Sequence, residues 1–182
     1  VKKQQQAWES ELSDWSTKDG SPIVPRRALR ELEKAMPKNA MVTTDIGNIC
    51  SVSNSYLRFD QPQSFFAAMS FGNCGYAFPT AIGAKVAAPD RPAIAYVGDG
   101  AWGMSLQETL TCVREDIPAI AVLFNNGQWG AEKKNQIDFY AAALHSLHPE
   151  DFHRSTEFRT ILIEICNQVG IDAIEGGAAI GV

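Results

Sequence analysis

The residue best placed to do chemistry in this 182-residue chain is Asp99, held between two glycines in Gly98-Asp99-Gly100. A carboxylate so flanked can face a cation while the bare backbone beside it passes close to a bound anion. One apolar segment later stands Asn125-Asn126-Gly127. A carboxylate and an amide oxygen, completed by backbone carbonyls and diphosphate oxygens, make a hard all-oxygen set suited to Mg2+ or Ca2+. Cysteine and histidine are absent from both segments, which disfavours zinc. Alone, the tripeptide describes a surface turn equally well, so the case rests on whether the fold brings the two segments together.

The intervening pattern says that it does. Residues 93–97 (AIAYV) are a short apolar run bounded by Pro92 and Gly98, and residues 118–124 (PAIAVLF) are another, ended by Asn125-Asn126-Gly127. Between them, Ser105 and Glu108 have the spacing of a capping box and predict a helix reaching about Arg114. A strand–helix–strand crossover returns the chain to an adjacent parallel strand, which makes Asp99 and Asn126 neighbours. Phosphatases of the haloacid-dehalogenase type also use a GDG turn, but they need a DxD nucleophile, and no DxD occurs in this sequence.

The same alternation extends upstream. Pro25 opens a helix whose apolar positions Leu29, Leu32 and Met36 recur at helical spacing, and Pro37 stops it. Residues 40–44 predict a strand ending at Asp45, with Gly47 allowing a sharp turn. Residues 64–69 (SFFAAM) predict a second strand, 72–75 a glycine loop, and 76–88 a helix of small residues. Apolar strands alternating with helices of this length indicate a parallel sheet covered on both faces, an α/β fold. Ligands in such sheets sit at the carboxyl ends of the strands. The loops expected there are 45–50, 72–75, 98–103 and 125–130.

These segments in this order resemble the cofactor-binding half of enzymes that use thiamine diphosphate (ThDP). GDGAWGMSLQETLTCVREDIPAIAVLFNNGQWG (98–130) resembles their GDG…NN motif. FGNCGYAFPTAIGAKVAAPDRP (71–92) and TTDIGN (43–48) are similar to the glycine loop and first loop of the acetolactate synthase and pyruvate oxidase branch. Residues 125–140 (NNGQWGAEKKNQIDFY) most resemble the sulfoacetaldehyde acetyltransferases, in which phosphate cleaves an acetyl group derived from sulfoacetaldehyde to give acetyl phosphate and sulfite.

The resemblance covers roughly residues 22–140. It implies a three-layer α/β/α ThDP-binding fold in a single domain, 23–140, after an approach segment or linker, 1–22, and before a tail, 141–182, that it does not reach. It further implies that Asp99, the Asn126 side chain and the Gln128 carbonyl bind Mg2+, and that the N–H groups of Gly100 and Ala101, next to Gly98, approach the diphosphate. Asn48 would meet the diphosphate from the first loop, and Gly72 and Cys74 would face the aminopyrimidine through their backbone. Cys74 stands where many relatives carry a bulky apolar residue that bends the cofactor.

In the family the catalytic glutamate lies on a pyrimidine-binding domain of the same or a partner subunit, within a homodimer or homotetramer. No segment here resembles that domain, so if the chain is only this domain the resemblance implies half of a site, with no catalytic residue of its own and no activity alone. The alternatives are acetolactate synthase or another ThDP-dependent 2-oxo-acid decarboxylase or lyase and, in a different class, a remnant that binds cofactor or dimerises without turnover.

Composition agrees with this reading. The hydrophobic content of 45% supports a real core, and a net charge of −5 without basic runs argues against nucleic-acid and anionic-membrane partners. No apolar run approaches the ~18 residues of a membrane span, and residues 1–22 do not read as a signal peptide. Cys50, Cys74, Cys112 and Cys166 form no CxxC pair, as expected of free thiols in a reducing, cytoplasmic setting.

Residues 1–22 are polar with Trp8 and Trp15 two helical turns apart, as in a short helix packing its tryptophans on a neighbour. Trp102 and Trp129 each follow a motif loop, where they either line a channel or pack internally. His145, His148 and His153, near Glu150 and Asp151, match no strong ligand spacing, and Arg58, Lys133 and Lys134 read as solvated charges rather than an anion site. In the tail, 157–169 has helical periodicity and 170–174 reads as a strand. The opening at Val1 and the ending GGAAIGV read as a piece of something longer, or as a divergent end.

Overall fold

A computed structural model describes residues 2–131 together with two short strands at 172–173 and 179–181. The parts of the sequence reading that concern the tail helix at 157–169, the three histidines, Lys133, Lys134 and Cys166 lie outside the described residues.

The order is α1 (Lys2–Ser16), α2 (Pro25–Ala35), β1 (Met41–Thr44), α3 (Asn48–Tyr56), β2 (Phe65–Ala67) and α4 (Ala77–Ala87). It continues with β3 (Ala93–Gly98), α5 (Asp99–Gly103), α6 (Glu108–Arg114), β4 (Ile120–Phe124), β5 (Asp172–Ala173) and β6 (Ala179–Gly181). The strands form one sheet in the order β2-β1-β3-β4-β6-β5. The first four are mutually parallel, as expected. β6 lies antiparallel on β4, and β5 antiparallel on β6, so the all-parallel expectation holds only for the sheet's first four strands. An antiparallel edge on a parallel sheet needs no crossover helix and is common in α/β folds.

Alternation along β3 builds the three layers. Ala93, Ala95 and Val97 point to one face and join Phe78, Ala81, Trp102, Cys112 and Leu123 in a core under α4, α5 and α6. Ile94 and Tyr96 point to the other and join Val42 and Leu57, with Leu32 of α2 packed against them. Because successive strand residues alternate faces, one apolar run serves two cores. Trp102 is fully buried and meets Phe78 edge-on at 4.8 Å between centroids, an arrangement that adds about 1 kcal/mol to simple burial. Trp102 is therefore core and does not line a channel.

The N-terminal segment is a helix seated on the body. Leu12 is buried with Leu29 and Tyr56, and the Tyr56 hydroxyl donates to the Leu12 carbonyl. Trp8 and Trp15 pack edge to face, and the Arg26 guanidinium lies 4.5 Å from the Trp15 ring centroid. Arg58 pairs with Glu9 of α1, a surface ion pair joining α1 to the segment that follows α3.

Two local expectations fail. The capping box does not form: the residue before α6 is Gln107, itself in helical conformation, and the buried Ser105 Oγ finds no partner among the described residues. The cause is that residues 99–103 are already helical, so Ser105 enters a continuing turn, with Ser105 N bonded to Trp102 O, and not the extended geometry a cap needs. Likewise the expected 45–50 loop ends early, because α3 begins at Asn48.

Among the described residues, no helix is long and apolar enough to cross a membrane.

Candidate functional site

The strand order locates the site. From β1 the chain moves one way to β2, then crosses back to place β3 on the other side of β1 and continues outward to β4. The point where direction reverses is the β1/β3 pair, and in sheets of this kind ligands sit at the carboxyl end of that pair. Thr44 of β1 is registered with Tyr96 of β3, and Gly98 of β3 with Phe124 of β4. The residues that follow these strands are Asp45, Asp99 and Asn125-Asn126.

Four loops meet at that end of the sheet, and glycines mark their contacts. A Cβ built on Gly72 would lie 4.0 Å from the Ile46 side chain, so the glycine loop touches the first loop. One on Gly75 would meet Met104 Cβ at 3.0 Å, which ties the glycine loop to the end of α5. One on Gly100 would fall inside the indole of Trp129. One on Gly130 would lie 3.0 Å from Asn126 Nδ2 and 3.6 Å from Asn48 Nδ2, so these two amides flank Gly130. The ring of contacts is complete: first loop, glycine loop, GDG turn and NN loop each touch the next. Gly72 and Gly75 have φ of 76° and 79°, a conformation that side-chain-bearing residues adopt at a cost.

Within the ring, Asp99 is the first residue of α5 and partly buried. Burial pushes its carboxyl above the usual carboxylate range, while the N–H groups of Gly100, Gly127 and Gln128 pull in the other direction. The NN loop therefore folds its backbone onto the GDG carboxylate. That loop is held by its own side chains: Gly127 N donates to Asn125 Oδ1 at 2.9 Å and Gln128 N to Asn126 Oδ1 at 3.2 Å. Asp99, Asn126, Gln128, Gly98, Gly100, Ala101 and Asn48 thus converge, and Gly72 and Cys74 lie on the adjacent glycine loop. Ala101 is buried, with its backbone in the first turn of α5.

The donor set suits a magnesium–diphosphate unit. A partly desolvated carboxylate, an amide and a backbone carbonyl are hard oxygen donors, and the first turn of α5 adds backbone N–H groups next to them. No cluster of three His, Cys, Asp or Glu able to hold a metal occurs among the described residues, which leaves a mixed carboxylate–amide–carbonyl set.

A sequence profile described as thiamine pyrophosphate enzyme, C-terminal TPP binding domain, matches residues 45–175. The chain belongs to this family. The matched span opens at Asp45 and takes in all four loops, so thiamine diphosphate is the cofactor this domain is built for.

Among curated relatives, a sulfoacetaldehyde acetyltransferase of Castellaniella defragrans is 63% identical over 155 residues, covering 77% of this chain and 26% of the relative. One of Alcaligenes xylosoxydans xylosoxydans is 55% identical, covering 90% and 31%. A probable acetolactate synthase large subunit of Methanococcus aeolicus is 35% identical over 127 residues, covering 67% and 21%. The chain spans between a fifth and a third of the length of these relatives. The fold matches that of a ThDP-dependent 4-hydroxybenzoylformate decarboxylase of Rhodococcus jostii RHA1 with a TM-score of 0.62 at 22% identity, over 72% of this chain and 24% of that one.

Sequence reasoning did not single out Asp45 of this TPP-binding domain. It is fully buried, and its Oδ1 accepts from Tyr76 N at 2.6 Å and Ala77 N at 3.2 Å. The available signal was an acidic residue ending an apolar strand, which has to find donors somewhere.

Proposed function

We propose that this chain is the diphosphate-binding part of a sulfoacetaldehyde acetyltransferase, an enzyme that converts sulfoacetaldehyde and phosphate to acetyl phosphate and sulfite. The observation that carries the reading is identity: 63% and 55% to two sulfoacetaldehyde acetyltransferases against 35% to an acetolactate synthase, across a span that contains all four loops. The convergence of Asp99 with the NN loop supports the cofactor half of the proposal independently.

When bound, thiamine diphosphate supplies a nucleophilic carbon and an electron sink, and the protein supplies placement. In this chain Asp99, the Asn126 side chain and the Gln128 carbonyl would hold Mg2+. The N–H groups of Gly100 and Ala101 and the side chain of Asn48 would take the diphosphate, and the backbone of Gly72 and Cys74 would face the aminopyrimidine. The catalytic glutamate and most substrate contacts would come from a pyrimidine-binding domain of the same or a partner subunit, in a homodimer or homotetramer.

Assayed together with a pyrimidine-binding domain, the chain should release sulfite from sulfoacetaldehyde when phosphate, ThDP and Mg2+ are present. Acetolactate made from pyruvate, with no sulfite, would reassign it to acetolactate synthase. Cofactor binding with no turnover of either substrate would leave a binding remnant.

A further inference from the structure

We infer that Asp45 is a positioning residue for the aminopyrimidine end of the cofactor, acting by anchoring the 72–76 glycine loop to the end of β1. The inference rests on the reading of this domain as a ThDP site and adds a residue to it.

Asp45 has no exposed surface, yet it is a carboxylate. Burying such a group is costly unless donors meet it. Two do, and both belong to the start of α4: Tyr76 N and Ala77 N converge on the single oxygen Oδ1 at 2.6 and 3.2 Å. The Gly75 N–H acts on the same carboxyl. The residue preceding α4, Tyr76, offers no side-chain cap of its own. The first turn of α4 is therefore capped from another strand, by a residue 31 positions earlier in sequence.

This arrangement has a directional consequence. Gly72 and Gly75 in the glycine loop are both at positive φ, and a Cβ at either would meet Ile46 or Met104. The hydrogen bonds from Tyr76 and Ala77 are what fix the loop's C-terminal end relative to β1. Thr43 reinforces the same junction from β1, its hydroxyl donating to the Ala77 carbonyl at 2.7 Å. The loop so held carries Gly72 and Cys74, the backbone groups read as facing the aminopyrimidine, whereas the groups read as holding the diphosphate, Asn48 apart, follow β3 and β4. Asp45 thus governs one end of the ligand and leaves the other alone. Its second oxygen, Oδ2, is buried without a hydrogen-bond partner among the described residues, so charge is not satisfied there and the accepting role of Oδ1 is what remains.

The test compares Asp45→Ala, which removes the acceptor, with Asp45→Asn, which keeps an oxygen in place. Titration calorimetry on the full chain should show Asp45→Ala weakening ThDP binding about tenfold, the equivalent of losing a helix cap, with Asp45→Asn restoring most of it. Magnesium pyrophosphate, which lacks the aminopyrimidine, should bind both variants as it binds the unmodified chain. Amide exchange at residues 75–77 should accelerate in Asp45→Ala and stay slow in Asp45→Asn.

Equal losses for ThDP and pyrophosphate would make Asp45 merely structural and overturn the inference. So would unchanged ThDP binding, or unchanged exchange at 75–77, in Asp45→Ala. If the unmodified chain binds neither ThDP nor magnesium pyrophosphate, the cofactor reading itself fails. That outcome is distinct from one in which pyrophosphate binds and only the Asp45 effect is missing.

Discussion

Two carboxylates end two neighbouring parallel strands of this domain, and they are used in opposite ways. Asp45 follows β1, is wholly buried, and gives one oxygen to the N–H groups that start α4. Asp99 follows β3, keeps partial exposure, and is met by backbone N–H groups of two loops. Burial pushes both above the usual carboxylate range. The difference lies in what remains available: Asp45 is enclosed and bonded to the start of α4, while Asp99 keeps part of its surface open. A buried charge therefore does not mark a binding site by itself; accessibility and the neighbouring donors decide.

The sharpest way to break the comparison is to remove each carboxylate in turn. Asp99→Ala should abolish Mg2+-dependent ThDP uptake, with affinity falling about 100-fold or more, while circular dichroism and the melting temperature stay close to the original. Unchanged uptake would remove Asp99 from the cation site.

Next in size is Gly100→Ala. Its Cβ would overlap the Trp129 indole, so the ring must leave its place over the GDG turn. ThDP affinity should drop about tenfold and Trp129 emission should shift, with Trp129→Ala in the same chain recovering most of the affinity. Failure of the second substitution to rescue would show that the backbone itself, not the indole, was displaced.

Smaller effects attach to Asp45 and to the strand pair beneath both carboxylates. Asp45→Ala should cost about 1–2 kcal/mol of stability, the range for a lost cap, in urea titrations. Its pH dependence has a definite sign. The folded-state pKa lies above the ordinary value of 3.8, so the unfolded chain loses its proton first and stability falls as pH rises from 3.8 through the raised value. Asp45→Asn removes that slope, and its stability relative to the original should improve as pH rises through this window.

At neutral pH the smallest effect belongs to Tyr96→Phe. The Tyr96 hydroxyl meets Ser53, and burial pushes it up from 10.0 to about 12. The original chain should lose stability as pH rises from 10 towards about 12, and the variant should lack that loss. An equal alkaline loss in both would place the cause elsewhere.

How far these features could be read from the sequence varied by element. The strands at 41–44, 93–98 and 120–124 were legible because short apolar runs between glycine and proline leave few alternatives. α3 was not legible: NICSVSNSY is rich in residues that prefer caps and turns, and it is helical because the fold buries Cys50, Ser53 and Tyr56 along one side. The Ser105–Glu108 spacing was legible but misleading, since a capping box requires an extended residue where the chain was already turning. The proximity of Asp99 to the 125–128 loop was legible from one crossover. The bonding of Asp45 was not, because its donors lie 31 and 32 residues away, beyond a helix and a β-strand.

The amino-acid sequence alone determined the chemistry on offer: oxygen donors for a hard cation, glycines beside them, and parallel strands to carry both. Local pattern suffices for this, since each is a property of residue type and short spacing. Only the tertiary structure decided that β1 and β3 lie side by side, that Trp129 covers Gly100, and that Asp45 caps a helix it does not belong to. Strand order and side-chain placement across it depend on contacts between distant segments, which no local period encodes.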